Sequence, residues 1–89
     1  MLIQKLNACD EFIAGDGIEL WELLHPDKQA VDLRYSLAHA TLPPGQTSAL
    51  HSLTTSEVYH IISGVGEMHI NSENQFVEAG DTVYKRWWI

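Results

Sequence analysis

The sequence predicts one all-β domain, a sandwich or barrel of short strands. Turn-forming residues recur at short intervals, and the segments between them, mostly of five to nine residues, carry β-branched or aromatic residues with partial period-two alternation. With 89 residues, 45% of them hydrophobic, the chain has enough apolar surface for one small ordered domain. We expect that domain over residues 1–89, with an N-terminal strand and turn arm (1–17), barrel strands (18–84) and an apolar tail (85–89).

Six segments are predicted to form strands. The clearest is 57–63, where β-branched and aromatic side chains predominate. Alternation in 67–71 puts Met68 and Ile70 on one face. The full set is 18–24, 34–42, 57–63, 67–71, 75–77 and 82–84. One alternative lies near the N-terminus, where residues 7–12 would form a single helical turn with Asn7 as its N-cap.

Charge and cysteine content exclude several classes of protein. Twelve acidic residues against five Lys and Arg give a net charge of −7, which argues against binding the phosphate backbone of nucleic acids. The single cysteine, Cys9, excludes an intramolecular disulfide and fits a reducing compartment. No signal peptide is visible at the N-terminus, and no apolar run approaches the roughly 20 residues that span a bilayer. We therefore expect a cytoplasmic protein that binds neither nucleic acid nor membrane.

The middle of the chain carries a spaced set of glycine, histidine and glutamate residues: Gly45, His51, Glu57 and Gly64. By type and spacing these resemble the first motif of the cupin superfamily, G-x5-H-x-H-x3,4-E-x6-G. Residues 78–84, Glu-Ala-Gly-Asp-Thr-Val-Tyr, are similar to the beginning of the second cupin motif. The resemblance covers residues 42–84 and implies a small single-domain cupin with a jelly-roll β-barrel.

The resemblance also implies a metal site, since family members hold a metal with histidines and one glutamate. His51 and Glu57 occupy two of those positions and are the expected metal ligands. Imidazole and carboxylate suit a divalent Zn, Mn, Fe or Ni ion and do not choose among them. Leu53 stands where the second motif histidine belongs. Each ligand also has a plainer interpretation: His51 as a turn histidine, and Glu57 as a carboxylate satisfied by hydrogen bonds at a barrel mouth.

Further candidates for the ligand site follow from strand alternation. Tyr59 lies two residues after Glu57, so both share one strand face, and we expect Tyr59 to contact a small-molecule ligand. His39 is a second candidate for ligand binding or for a third metal ligand, although the sequence leaves open which way its strand faces. Of the remaining histidines, His60 is expected on the opposite strand face, His69 in solvent and His25 in a loop.

The second motif stops early. Arg86 stands at its proline position and Trp88 at its glycine position, and the sequence ends before its histidine. We therefore expect a barrel that is incomplete at its C-terminus and leaves a sheet edge open. In a homo-oligomer, most simply a dimer, that edge or the apolar residues 87–89 would be buried between chains. The alternative is that residues 85–89 are a frayed remnant.

Three functions fit this sequence. The first is a small cupin that binds a divalent metal, a small molecule or both inside the barrel, without turnover. The second is a metal-dependent enzyme, isomerase-like or dioxygenase-like, acting on a sugar phosphate or small carboxylate. The third is a degenerate, non-catalytic assembly module. Leu53 and the missing second-motif histidine weigh against the enzyme, because catalytic metal sites typically keep three protein ligands.

Overall fold

The computed structural model describes residues 1–13, 18–48 and 55–86. The chain divides into two compact units, Met1–His51 and Ser52–Ile89. Within the described ranges there are seven β-strands and one three-residue 3-10 turn, and no α-helix. None of the described segments forms a helix long and apolar enough to cross a membrane. The prediction of an all-β protein is therefore confirmed.

The N-terminal unit contains a three-stranded antiparallel sheet. Its strands are β1 (Glu11–Ile13), β2 (Glu19–Leu24) and β3 (Leu37–Thr41), in the spatial order β1-β2-β3. The helical alternative at residues 7–12 reduces to a 3-10 turn over Leu6–Ala8, which starts after Lys5 and has no side-chain cap. Without a cap, so short a turn does not extend, and the chain continues directly into β1.

The C-terminal unit contains two antiparallel strand pairs. β4 (Glu57–His60) pairs with β7 (Thr82–Lys85), and β5 (Val65–Ile70) pairs with β6 (Glu73–Glu78). Asn71 and Ser72 close the β5–β6 hairpin, and Asn71 has φ of 55°. Asparagine adopts this left-handed conformation more readily than most residues. The turn thus has two residues, and β6 begins at Glu73, two residues before its predicted start at residue 75.

Glycine is required at the turn that leads toward the first motif. Gln46 donates its backbone N–H to the carbonyl of Pro43 at 3.1 Å, and Gly45 at the third position has φ of 76°. Proline second and a glycine with positive φ third are the signature of a type II turn. This turn fixes the direction of the chain as it leaves the N-terminal sheet.

A second glycine joins β4 to the β6–β7 turn. Gly80 has φ of 94°, and its N–H donates to the carbonyl of Ile61 at 2.8 Å. The N–H of Ile61 donates in return to the carbonyl of Asp81 at 2.9 Å. Residue 61 is therefore hydrogen-bonded to the turn, although β4 ends at His60, earlier than the predicted end at residue 63. β7 in turn runs one residue beyond its predicted end, to Lys85.

Pairing among the described strands gives one three-stranded and two two-stranded sheets, and does not close a barrel. No described residue is fully buried. Large apolar side chains of the C-terminal unit are open to solvent, with Val65 85% and Phe76 78% exposed. The predicted β-strands are therefore present. Among the described residues, however, a single copy of the chain has no apolar core that is shielded from water.

Candidate functional site

Strands β4 and β7 have one shielded and one exposed face. Accessibility alternates along both strands, as expected for side chains that point to opposite sides of a pleated sheet. The half-buried side, which we call the shielded face, carries Glu57, Tyr59, Val83 and Lys85. The exposed side carries Val58, His60, Thr82 and Tyr84. The prediction that Glu57 and Tyr59 share one face, with His60 opposite, is confirmed.

The carboxylate of Glu57 is satisfied at only one of its two oxygens. The Tyr59 hydroxyl donates a hydrogen bond to Oε2 of Glu57. Oε1 of the same carboxylate is buried and has no hydrogen-bond partner within the described ranges. The plainer interpretation of Glu57, a fully hydrogen-bonded carboxylate, therefore holds for one oxygen and not for the other. A buried acceptor without a donor costs free energy, about 1–3 kcal/mol in typical cases.

Lys85 is a residue of this face that the sequence analysis missed. It lies directly opposite Glu57 in the β4–β7 register. Its Nζ is buried and has no hydrogen-bond partner in the described part of the chain. The sequence predicts that the last strand ends at Tyr84 and therefore places residue 85 in the tail. Alternation from Val83 was the signal that could have placed it on the shielded face.

His39 lies in the N-terminal unit, on β3, whereas Glu57 and Tyr59 lie in the C-terminal unit. It is directly opposite Trp21 of β2, and the two rings make an edge-on contact with centroids 5.5 Å apart. His39 is also the one half-buried residue of its strand. The facing that the sequence left open is thus settled: His39 shares a face with Trp21. The structure provides an aromatic contact for its ring, while a role in ligand or metal binding stays a prediction.

Three further histidines make local contacts of their own. His60 on the exposed face is hydrogen-bonded through Nδ1 to the Thr82 hydroxyl at 2.8 Å. His69 is exposed, as predicted, and its Nε2 lies 2.6 Å from Oε1 of Glu67. His25 lies in the loop after β2, and its Nδ1 accepts the backbone N–H of Asp27 at 3.0 Å. Each of the three histidines contacts a polar neighbour. Each also lies where strand alternation or turn residues predicted it.

His51, the other predicted metal ligand, lies outside the described residues, as do Leu53 and residues 87–89 of the predicted tail. Of the two predicted metal ligands, the structure therefore describes only Glu57. The unpartnered carboxylate oxygen of Glu57 is a type of ligand that divalent ions bind. No group of three or more His, Cys, Asp or Glu side chains that could hold a metal occurs among the described residues. The positive charge of Lys85 on the same face also opposes a divalent cation. These residues by themselves do not fit a metal centre.

Two clefts are lined by residues other than those of the shielded face. One, of about 320 Å³, is lined mainly by Val65, Phe76 and Val77 of the β5–β6 pair. The other, of about 230 Å³, lies in the N-terminal unit, where Nζ of Lys28 contacts Oε1 of Glu22 at 2.6 Å. The first cleft is largely open apolar surface. In the second cleft the charges of Lys28 and Glu22 compensate each other. Oε1 of Glu22 in the second cleft has no hydrogen-bond partner among the described residues but is matched by the Lys28 ammonium, whereas the shielded face carries both an unmatched donor and an unmatched acceptor.

Comparison with known proteins identifies the family. The family model described as "Cupin domain" matches residues 38–89. Uncharacterized protein MJ1618 of Methanocaldococcus jannaschii is 39% identical over 74 residues, a stretch that covers 82% of this chain and 58% of the relative. The chain thus matches less than two thirds of that relative's length. No solved structure matches the chain significantly. The family match covers more than half of the sequence and includes β4 through β7, and the chain belongs to the cupin family.

Proposed function

We propose that this cupin binds a small polar molecule on the shielded face of β4–β7, with Glu57 and Tyr59 as contact residues. The observation that carries the proposal is the buried, unpartnered Oε1 of Glu57. A ligand that donates a hydrogen bond to this oxygen would remove the cost of leaving it unsatisfied. Tyr59 supports this role because its hydroxyl holds the other carboxylate oxygen. The proposal is one of binding and includes no reaction.

Chemical-shift mapping tests the proposal directly. Metal-free, ¹⁵N-labelled protein is titrated separately with four probes: L-lactate, propionate, 1,2-propanediol and D-glucose. We expect at least one probe to shift backbone amides of β4 and β7 in a saturable way, and Glu57→Gln to weaken that response. Glu67→Gln, on exposed β5, is the matched control and should respond as the wild type does. The absence of any saturable shift in β4 and β7, or an unchanged response in Glu57→Gln, would contradict the proposal.

A divalent metal bound through His51 and Glu57 is the second candidate. It is supported by family membership and by the same open carboxylate oxygen of Glu57. A metal there would need donors in addition to this carboxylate, because protein sites usually supply three or more. The enzymatic alternatives, on a sugar phosphate or a small carboxylate, depend on such a metal and stay predictions.

A homodimer is the proposed assembly. Support comes from apolar side chains that a single copy leaves open, among them Val58 on β4 and Phe76 on β6, 69% and 78% exposed. Exposed apolar surface is characteristic of interaction sites where it forms a contiguous patch. A second copy of the chain would remove it from water and would also cover unpaired strand edges. Light scattering tests this assembly.

A further inference from the structure

The shielded face carries two buried atoms of opposite character, and neither has a partner within the described ranges. Oε1 of Glu57 is a hydrogen-bond acceptor, and Nζ of Lys85 is a charged donor. The two residues are directly opposite each other across β4 and β7. Directly opposed residues of an antiparallel pair have Cβ atoms about 5 Å apart. One small molecule can therefore reach both side chains.

The chemistry of the two atoms restricts what that molecule can be. The ammonium of Lys85 requires an acceptor, and an anionic acceptor makes the stronger, charge-assisted hydrogen bond. Oε1 of Glu57 requires a donor, since an ionised carboxylate only accepts. A neutral sugar would offer the ammonium only neutral acceptors, which make weaker hydrogen bonds with a charged donor than an anion does, and an anion without a hydroxyl would leave Oε1 unsatisfied. A phosphate dianion would bring two negative charges to one lysine beside a glutamate. A carboxylate next to a hydroxyl meets both requirements with one charge.

We propose that Lys85 is an anion-recognition residue and that the ligand is a small hydroxy acid, bound with its carboxylate on Lys85 and its hydroxyl on Glu57. This inference rests on the proposed binding function and names its ligand class and a further contact residue. Tyr59 positions the carboxylate of Glu57 by holding Oε2, so that Oε1 is the oxygen left for the ligand. Lys85 then determines specificity, because it distinguishes an acid from a neutral molecule of the same size.

Three probes of nearly equal size separate the contributions. L-lactate carries the hydroxyl and the carboxylate, propionate only the carboxylate, and 1,2-propanediol only hydroxyls. Dissociation constants are measured by amide shifts of β4 and β7 in metal-free protein with chelator present. We expect L-lactate to bind about tenfold or more tightly than either of the other two, the ratio that one charge-assisted hydrogen bond typically supplies. Lys85→Met should reduce L-lactate affinity to that of 1,2-propanediol or below it, and should change 1,2-propanediol affinity much less.

Two further variants complete the design. Lys5→Met removes a positive charge from an exposed residue and should leave all three affinities unchanged. Lys85→Arg keeps the charge and should keep the preference for L-lactate over 1,2-propanediol, which covers the case in which Lys85→Met does not fold. Equal binding of L-lactate and 1,2-propanediol by the wild type would overturn the inference, as would an unchanged preference in folded Lys85→Met. A response to 1,2-propanediol or D-glucose that Glu57→Gln weakens would then still support the binding function, so the two failures are distinguishable.

Discussion

The hydroxyl of Tyr59 donates a hydrogen bond to Oε2 of Glu57, two residues earlier on the same strand. Because side chains two residues apart in a strand point to the same side, this bond forms within β4 itself and needs no other element. It fixes which carboxylate oxygen is occupied and which is open. The binding site that we propose is built around that asymmetry.

Removing the Tyr59 hydroxyl should destabilise the protein. In Tyr59→Phe, Oε2 of half-buried Glu57 loses its donor, and a hydrogen bond to a charged group contributes about 1.5–3 kcal/mol when well shielded. Since Glu57 is only partly buried, we expect a loss of about 1–2 kcal/mol in the free energy of unfolding, measured by urea denaturation. Tyr84→Phe, on the exposed face of β7, is the matched control, with an expected change below about 0.5 kcal/mol. Equal effects of the two substitutions would count against the Glu57–Tyr59 contact.

The left-handed conformation of Gly80 predicts a stability difference between two glycines. No atom would lie within 4 Å of a Cβ added at Gly80 or at Gly66, so crowding does not separate them. Gly80 has φ of 94°, a conformation that costs a residue with a side chain about 1–2 kcal/mol, whereas Gly66 is in strand β5 with no positive φ. Thermal unfolding should show Gly80→Ala less stable than the wild type, and Gly66→Ala unchanged or slightly more stable. A destabilisation in Gly66→Ala as large as that in Gly80→Ala would contradict this account.

Metal binding should depend on His51 and Glu57 and on neither His60 nor His69. The last two are on exposed faces and contact Thr82 and Glu67. Equilibrium dialysis against Zn²⁺ and Mn²⁺, followed by metal analysis, should give stoichiometric binding that His51→Ala or Glu57→Gln weakens at least tenfold. His60→Ala and His69→Ala are the controls. The second candidate function is excluded for these two ions if the wild type retains neither of them.

The proposed dimer predicts a mass in solution of twice the 10.0 kDa of the chain. Light scattering at micromolar concentration measures this mass directly. Val58→Lys places a charge on the exposed face of β4 and, if that face is in the interface, should shift the protein toward the monomer. Glu73→Lys, at an exposed position of β6, is the control for added positive charge. A wild-type protein that stays monomeric throughout this concentration range would rule out the dimer.

Part of this fold could be predicted from sequence because it depends on local pattern. Alternation placed Glu57 and Tyr59 together, and the same rule placed Met68 and Ile70 on the half-buried side of β5. The predicted ends of the strands were less accurate, because a strand's end depends on hydrogen bonds to other elements. β4 ends where Ile61 turns to bond with the β6–β7 turn, which no local signal specifies.

The residues of the candidate site could also be predicted only in part. Glu57 and Tyr59 came from the motif and from alternation, whereas Lys85 depended on where β7 ends and on its register with β4. The contact of His39 with Trp21 depends on the pairing of β2 with β3, which contains an irregularity between Glu22 and Leu24. Cross-strand register of this kind is set by pairing between distant segments and is not specified by either strand alone.

The side-chain carboxyl carbon of Glu57 offers the most direct measurement of the central claim. Its ¹³C chemical shift is followed while L-lactate, propionate, 1,2-propanediol or D-glucose is added to metal-free protein, with the carboxyl carbon of Glu67 as internal reference. We predict that the Glu57 resonance moves in a saturable way with at least one probe while that of Glu67 stays fixed. A Glu57 resonance that does not move with any of the four, or that only moves together with Glu67, would contradict the claim that Glu57 binds the ligand.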